Sequence, residues 1–278
     1  GYIPSTTDEK ANVKKLGSWC NTQRQEYKKH KLPQERIDLL KKIPGWWWKK
    51  NNTKKDMSKP EIKPKKTDGE IKKERQQRAQ SELSQLHKEY KTKTSQNMNT
   101  FFKENPDEWK HYHKISKENE ESFPEEDIPR NIMIKYLDDL PGKKKKVVAD
   151  LGCGFAEINQ HFRDNPRFEF HNFDHHSSSE LVVSRDIKNT ELDDYSIDIA
   201  ILSLAMWGSN CKDYIQEVYR ILDTGGTLII AEAYKRWNRE LDENGNPINR
   251  LVKLLEENSF TIITKIENKF MFIECRKN

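Results

Sequence analysis

The chain has 278 residues, of which 34% are charged and 33% hydrophobic, so it is long enough for two domains but too polar to be core throughout. Its four cysteines stand far apart, and no Cys or His cluster has zinc-ligand spacing, so we expect neither a disulfide framework nor a metal site. The dispersed cysteines favour reduced thiols in an intracellular protein. No apolar run approaches the roughly 18 residues that span a bilayer and no signal peptide is visible, although the start at Gly1 without a Met leaves a removed leader open.

The charge is distributed unevenly along the chain. Residues 1–98 contain 25 Lys and Arg against 12 Asp and Glu, whereas residues 147–278 contain 15 against 22. The basic charge of residues 1–98 indicates that the N-terminal part, the front of the chain, binds a polyanion, whereas the acidic residues 147–278 have a different function. Nucleic acid is the first candidate for that polyanion.

Residues 1–50 have the pattern of a small helical module. Large apolar residues recur at helical spacing from Leu16 onward, and Pro33 stands in the first turn of a second helix. A Lys-, Asn- and Pro-rich linker follows, and residues 71–96 form a polar helix with one narrow apolar stripe. We interpret residues 51–104 as a charged linker and exposed helix, and the helix as a candidate surface for a protein partner.

Asn105 and Pro106 begin the third part as a helix cap and a first-turn proline. Beyond two helices, apolar strands alternate with helices; the predicted strands are Val147–Leu151, Phe168–Phe173, Leu181–Arg185, Ile197–Leu204, Thr227–Ala233, Thr261–Ile266 and Phe270–Cys275. This alternation predicts a mostly parallel sheet, and the last two strands are close enough to pair only as an antiparallel hairpin. Residues 105–278 are therefore predicted to form an α/β domain of the class I Rossmann-like methyltransferase type, preceded by a small all-α module.

The strongest chemical signal is the glycine turn after the first predicted strand. An acid at the strand end can meet a cationic amino group, and the glycines let the backbone approach a ligand. A phosphate-binding turn would require a third glycine where this sequence has Glu157, so the turn favours S-adenosylmethionine; a tight turn without a ligand is the alternative. The residues assigned to the cofactor here are Asp150, Gly152, Cys153 and Gly154.

Acids also end the next two strands. Asp174 is placed to accept both ribose hydroxyls, and Asp186 to accept from the adenine amino group while the backbone amide of Ile187 reaches the ring. Each acid has a simpler interpretation as a turn former. Ser203, at the end of the fourth strand, completes the predicted cofactor set.

The segment after the fourth strand faces the substrate in this fold. Trp207 offers a flat face for stacking a base, and Asn210 offers an amide that can read a base edge. A lid over the cofactor and a helix cap are the respective alternatives. Glu232 is assigned to catalysis and Arg236 to nucleic acid at the rim of the site, with surface ion pairing as the alternative for both.

Five stretches carry a resemblance to a known family: Tyr112-His113, Val147–Gly154, Leu204–Asn210, Ala231–Arg236 and Asn268–Phe272. On them, residues 111–277 resemble the nucleomethylin family of nucleolar methyltransferases, which modify adenine N1 in large-subunit ribosomal RNA. The resemblance implies S-adenosylmethionine as cofactor, His113 close to it, and a nuclear or nucleolar location, with the cytoplasm or a viral factory as the alternatives. The sequence departs from the family at Met206 and Trp207, where the family has smaller or aliphatic residues.

The front of the chain resembles the helicase-associated domain, a three-helix module presumed to bind nucleic acid. The resemblance rests on Leu16–Arg24, Tyr27-Lys28, Leu32, Glu35-Arg36 and Ile43–Trp48. The basic side chains predicted to contact phosphates are Arg24, Lys28, Lys29, Lys41 and Lys42. The tryptophans can stack on bases or form the core of the module.

Together these features predict an S-adenosylmethionine-dependent methyltransferase that acts on adenine N1 of ribosomal-type RNA and binds RNA through its basic front. One alternative is a DNA or messenger-RNA base methyltransferase. Another is a non-catalytic regulator that binds the cofactor and recruits partners to nucleic acid or chromatin. An open cavity beside Trp207 and Asn210 favours the enzyme, whereas a plugged one favours the regulator.

Overall fold

The computed structural model describes residues 11–29, 31–43, 46, 48 and 67–278. They belong to two compact units, one within residues 1–64 and the other within residues 65–278. Every helix among the described residues is too short or too polar to cross a membrane. In the same residues, no cluster of three or more His, Cys, Asp or Glu side chains is arranged to hold a metal ion.

The first unit contains helices α1 (Ala11–Lys28) and α2 (Gln34–Lys41), and α2 follows Pro33 as predicted. Tyr27 stacks on Trp48 with ring centroids 4.0 Å apart, and Trp46 meets Trp48 edge-on at 5.4 Å. Trp47 lies outside the described residues. The aromatic side chains that the structure describes therefore pack on one another, but Trp19 and Tyr27 are exposed, so the core and base-stacking interpretations both stay predictions.

The basic residues of this unit differ in exposure. The side chain of Arg24 is only 7% exposed, and its guanidinium lies 5.0 Å from the centre of the Trp46 ring. Its burial against Trp46 favours a structural role for Arg24 in this unit, and its phosphate contact stays a prediction. The four lysines predicted with it are exposed: Lys28, Lys29, Lys41 and Lys42.

The second unit is an α/β domain. Its helices are α3 (Asp68–Tyr90), α4 (Ser95–Glu104), α5 (Pro106–Glu120), α6 (Pro129–Asp138), α7 (Glu157–His161), α8 (Cys211–Ile221), α9 (Tyr234–Trp237) and α10 (Arg250–Glu257), with a 3-10 turn at Glu125–Asp127. Its strands are β1 (Lys146–Leu151), β2 (Phe168–Asp174), β3 (Val182–Ser184), β4 (Ile197–Ser203), β5 (Leu222–Ala233), β6 (Glu240–Leu241), β7 (Pro247–Ile248), β8 (Phe260–Glu267) and β9 (Phe270–Lys277).

Seven strands form one sheet in the order β3-β2-β1-β4-β5-β9-β8. The five strands from β3 to β5 are parallel, and β9 pairs antiparallel with both β5 and β8. The predicted parallel sheet with a terminal antiparallel hairpin is confirmed. No helix intervenes between β2 and β3, again as predicted, whereas the short α9 and the β6–β7 hairpin were not predicted.

Apolar residues cover both faces of the sheet because alternate side chains of each strand point to opposite faces. On one face, Ala149 and Leu151 of β1 belong to a cluster that includes α8 and α10, and on the other Val148 belongs to a cluster that includes α6 and α7. The sheet is thereby fixed between two helical layers. The carboxyl ends of β1, β2 and β4 lie side by side at one edge, which is where the predicted cofactor residues stand.

The helix predicted to be exposed is packed against the domain. Along α3, Ala79 and Leu83 are buried in a cluster with Ile115 of α5, and Tyr90 at its end is buried in a second cluster that includes Trp109. The narrow apolar stripe visible in the sequence is therefore the face that meets α5. The structure consequently joins α3 and α4 to the α/β domain, whereas the sequence-based division placed them in a linker.

Candidate active site

The glycine turn after β1, residues 152–154, lines the candidate site. Gly152 and Gly154 have φ of +83° and +57°, in the left-handed region where side chains are strained. A Cβ on Gly152 would lie 2.6 Å from the Cβ of Ala205, closer than two carbon atoms can approach. The glycines therefore allow the tight turn, and the absence of a side chain on Gly152 leaves room for the β4–α8 loop to pass close to it.

Asp150 is a buried acid with spare hydrogen-bonding capacity. It is 2% exposed, and its Oδ1 has no hydrogen-bond partner among the described residues. Burial, and secondarily the charge of Asp174, raises the pKa of Asp150 to about 7. The carboxyl lines a cavity of about 120 Å³ together with His113, Ser203 and the glycine turn. An unpaired buried carboxylate in a cavity fits a ligand that carries a cationic amino group.

Asp174 closes the end of β2 and is already hydrogen-bonded. Its Oδ1 accepts from Trp109 Nε1 at 2.6 Å and from the backbone N–H of His175 at 2.7 Å, and its Oδ2 accepts from the backbone N–H of Gly154 at 2.8 Å. A carboxylate has about four acceptor positions, so roughly one remains for a ribose hydroxyl. Trp109 was not predicted as a site residue, although it lies one helical turn before His113 on the same face of α5.

A second cavity, of about 70 Å³, adjoins the first across Gly152, His113 and Tyr112. Asp174, His175 and Ile187 line it, which is where the ribose and adenine of the cofactor were predicted to bind. Both cavities are small beside the roughly 300–1,000 Å³ of ordinary ligand sites. The aromatic side chains that separate them must therefore move for a nucleoside-sized ligand to occupy both.

Aromatic and histidine rings wall these cavities. The rings of Trp109 and His113 are 4.0 Å apart, and burial lowers the pKa of His113, so its imidazole is neutral. Burial also raises the pKa of the Cys153 thiol, which makes a thiolate nucleophile unfavourable there. His113 packs against the glycine turn, and its place beside the cofactor stays a prediction.

Ser95, at the start of α4, forms hydrogen bonds with two predicted site residues, Asp186 and Asn210. Its Oγ donates to Asp186 Oδ2 at 3.0 Å, and its backbone N–H donates to Asn210 Oδ1 at 2.8 Å. The Asn210 amide nitrogen in turn donates to Ser95 Oγ at 3.1 Å and to Asp213 at 2.9 Å. The structure therefore gives Asn210 a structural task and does not favour its predicted role in reading a base. Among the described residues Asp186 accepts from Ser95 and from the backbone N–H of Lys188, so acceptor positions remain, and adenine recognition by Asp186 stays a prediction.

Trp207 is in contact with a neutral imidazole and has two cations over its ring. The His87 ring stacks on it with a centroid separation of 3.4 Å and an interplanar angle of 12°, while the Arg236 guanidinium lies 4.5 Å and the Lys91 ammonium 6.0 Å from its centre. Burial, and secondarily these two cations, lowers the pKa of His87 to about 3. Trp207 Nε1 is buried with no hydrogen-bond partner in the described part of the chain.

A wider cleft of about 620 Å³ opens beside Trp207. Its walls include His87, Tyr112, Leu204 and Phe270, so it joins the cofactor cavities at Tyr112 and Leu204. The side-chain amide of Asn210 is taken up by hydrogen bonds, whereas Trp207 lines an open space large enough for a nucleobase. No local pattern in the sequence pointed to His87, because that residue reaches the cleft only through the packing of α3 on α5.

Glu232 and Arg236 brace the loop that carries Trp207. Glu232 is fully buried, accepts from the backbone N–H of Met206 at 3.0 Å, and has a pKa raised by burial. Arg236 donates to the carbonyl of Met206. Among the residues that the structure describes, neither side chain forms the surface ion pair that was the alternative, and the predicted roles of Glu232 in catalysis and Arg236 in nucleic-acid binding stay predictions.

The sheet with its antiparallel terminal hairpin, the acid and glycine turn after β1, and the acids after β2 and β3 define the class I fold of the S-adenosylmethionine-dependent methyltransferases. A family model described as a hypothetical methyltransferase matches residues 71–278, and the chain belongs to this family. A second model, described as the helicase associated domain, matches residues 2–49.

Three curated relatives show what the chain is similar to. It is 38% identical over 148 residues to the 25S rRNA (adenine(645)-N(1))-methyltransferase of Schizosaccharomyces pombe, covering 51% of this chain and 46% of the relative. It is 32% identical over 173 residues to Ribosomal RNA-processing protein 8 of Arabidopsis thaliana, covering 62% and 57%. The Saccharomyces cerevisiae 25S rRNA (adenine(645)-N(1))-methyltransferase is 32% identical over 178 residues, covering 55% and 45%. The chain thus spans about half the length of these relatives.

Proposed function

We propose that the protein methylates N1 of adenine in ribosomal-type RNA with S-adenosylmethionine as the methyl donor. The observation that carries the proposal is the unpaired, buried Asp150 carboxyl in a cavity that adjoins an open aromatic cleft. The names of the relatives support adenine N1 of 25S rRNA as the target. Relatives in ribosomal RNA processing also support a nuclear or nucleolar location.

The residues that line the two smaller cavities match the groups of this cofactor from its amino end to its adenine. Asp150 would hold the cationic amino end, the remaining acceptor position of Asp174 would hold a ribose hydroxyl, and Ile187 and His175 would lie against the adenine. When bound, S-adenosylmethionine supplies a methyl carbon that accepts the lone pair of the ring nitrogen while its bond to sulfur breaks.

The side chains around Trp207 suit methylation of a ring nitrogen. Neutral adenine N1 has a free lone pair, so the chain needs no general base there, and the neutral His87 and Tyr112 side chains offer none that is strong. The methylated ring is cationic, and the face of an indole stabilises a cation by roughly 0.5–2 kcal/mol. We assign base stacking to Trp207, and to Glu232 the positioning of the Met206–Trp207 backbone.

The first unit would contribute RNA affinity through its exposed lysines. The exposed lysines available for phosphates are covered by the match to the helicase associated domain: Lys28, Lys29, Lys41 and Lys42.

A regulator that binds the cofactor without turnover is the second candidate function, because both cofactor cavities are small and the side chain of Asn210 is fully hydrogen-bonded.

A transfer assay tests the proposed reaction. We expect label from S-adenosyl[methyl-³H]methionine to enter total RNA from cells that lack this modification, and to be recovered as N1-methyladenosine after nucleoside analysis. DNA assayed in parallel should stay unlabelled. Label in another nucleoside or in DNA would contradict the substrate assignment, and cofactor binding without any label would favour the regulator.

The raised pKa of Asp150 predicts a pH dependence of cofactor binding. Only the ionised carboxyl pairs with the amino end, so binding lowers the pKa, and affinity rises with pH until the carboxyl of the free protein, half ionised near pH 7, is fully ionised. Between pH 6 and pH 8 we expect affinity for S-adenosylhomocysteine to rise by about tenfold, most of it below pH 7. Calorimetry in buffers of different ionisation enthalpy should show proton release at pH 6. An affinity that is flat over this range would contradict the assignment.

A further inference from the structure

A groove rich in basic side chains lies beside the loop that carries Trp207, with Gly208 and Ser209 among its lining residues. It has a volume of about 640 Å³ and is formed by the end of α3, the start of α8, α9, the β6–β7 hairpin and α10. Six basic side chains line it, against two carboxylates: Lys91, Lys212, Arg236, Arg239, Arg250 and Lys253, with Glu240 and Glu257. The surrounding segment 147–278 is acidic, so this concentration of positive charge is local.

The cations of the groove are only partly neutralised by carboxylates. Arg250 lies 3.1 Å from Glu240, and Lys253 lies 3.9 Å from Glu257, both at the surface where such pairs are weak. Within the described residues, Lys91, Lys212 and Arg239 form no ion pair. Burial, and after it the positive charges of Arg236 and Arg239, lowers the pKa of Lys91. The groove therefore holds like charges that a bound polyanion would neutralise.

The groove is continuous with the predicted base site. Lys91 and Arg236 line it and also lie over the Trp207 ring, at 6.0 and 4.5 Å from its centre. The first turn of α8, which begins at Cys211, borders the groove and adds the partial positive charge of a helix N-terminus. A chain of phosphates lying in the groove would thus end beside the ring on which we place the target base.

From this arrangement we propose that the groove holds the phosphodiester backbone of the single-stranded RNA next to the target adenosine. The inference rests on the proposed function, because it takes RNA as the substrate and Trp207 as the base platform. It assigns to Lys212 and Arg239 a role in binding the RNA and none in the chemistry. Their side chains are exposed and reach phosphates without rearrangement of the fold.

The test compares two double charge reversals. Lys212→Glu with Arg239→Glu removes groove cations, and Lys135→Glu with Arg163→Glu makes the same charge change at exposed positions outside the groove. Binding of a fluorescent single-stranded RNA is measured by anisotropy against salt, with S-adenosylhomocysteine affinity as the check of folding. We expect the groove variant to bind RNA at least tenfold more weakly, with a salt slope lower by about 1.4, since each phosphate that is no longer neutralised lowers the slope by about 0.7. The control should keep both affinity and slope.

The outcomes separate this inference from the proposed function. Equal RNA binding by the two variants overturns the groove assignment, even where the wild-type protein methylates RNA. Loss of RNA binding in the groove variant supports the groove, even where no methyl transfer is found and the proposed function fails. Displacement of the fluorescent RNA by polyglutamate at a lower concentration than by unlabelled RNA would assign the groove to an acidic protein segment and overturn the proposal.

Discussion

Asp150→Asn is expected to weaken binding of S-adenosylhomocysteine by at least about 100-fold while making the protein more stable. The substitution keeps the shape of the side chain but leaves a buried ammonium group without its counter-charge, which costs about 3–5 kcal/mol. Calorimetry of ligand binding and urea unfolding of the free protein measure the two effects separately. Loss of both binding and stability would instead mean that Asp150 is a structural residue.

The gain in stability follows from the direction of the pKa shift. The carboxyl of Asp150 titrates near 7 in the folded protein, against about 3.9 in an unfolded chain. An acid whose pKa is raised on folding destabilises the fold once pH exceeds the unfolded value, and increasingly so up to pH 7. Asp150→Asn should therefore be more stable than wild type at pH 8 and show little difference at pH 4.

Asp198 of β4 provides the matched control. Lys146 Nζ lies 2.7 Å from its Oδ1 and the backbone N–H of Val147 2.9 Å from its Oδ2, and these hydrogen bonds outweigh burial and lower its pKa. Asp198→Asn should therefore lose stability at pH 8, the opposite sign to Asp150→Asn, and leave ligand affinity unchanged. A shared sign in the two variants would contradict the assignment.

Trp207→Ala is expected to lower kcat/KM for RNA by about 5- to 150-fold, because stacking of a base on an aromatic side chain contributes about 1–3 kcal/mol. Trp207→Phe should retain most of the activity. Affinity for S-adenosylhomocysteine should change by no more than a few-fold, which separates loss of the base platform from loss of the cofactor site. Steady-state methylation at varied RNA concentration gives the first quantity and calorimetry the second.

His87→Ala is the control with the opposite expected sign. His87 covers the Trp207 face that we assign to the target base, so the base has to displace it. Removing the imidazole should leave kcat/KM for RNA unchanged or raise it. A fall as large as that of Trp207→Ala would show that the stacked pair acts as one structural unit, and the base-platform assignment would be wrong.

The parts of the fold and site that could be predicted depend on local pattern. Strand periodicity located the seven strands of the main sheet, and the short gap before Phe270 was enough to predict the antiparallel hairpin. Asp150 and the glycines could be placed because strand end, acid and turn are consecutive in the chain. Asp174, at the end of β2, was likewise placed at the correct edge of the sheet.

The contacts that could not be predicted join residues far apart in sequence. Ser95 reaches Asn210 across 115 positions, and Trp109 reaches Asp174 across 65. Both depend on how α3, α4 and α5 pack on the sheet, and a polar helix with a narrow apolar stripe does not reveal its partner. No local sequence pattern could therefore predict that the start of α4 forms hydrogen bonds with Asp186 and Asn210.

The packing of α3 and α4 fixes where the catalytic fragment begins. A truncated protein starting at Asn105 would lose the apolar cover of Trp109 and remove Ser95 from two polar partners in the pocket. It would expose an aggregation-prone surface beside the cofactor site and lack the histidine that stacks on Trp207. The shortest fragment suited to crystallisation or isotope labelling accordingly starts at the Thr67 cap of α3.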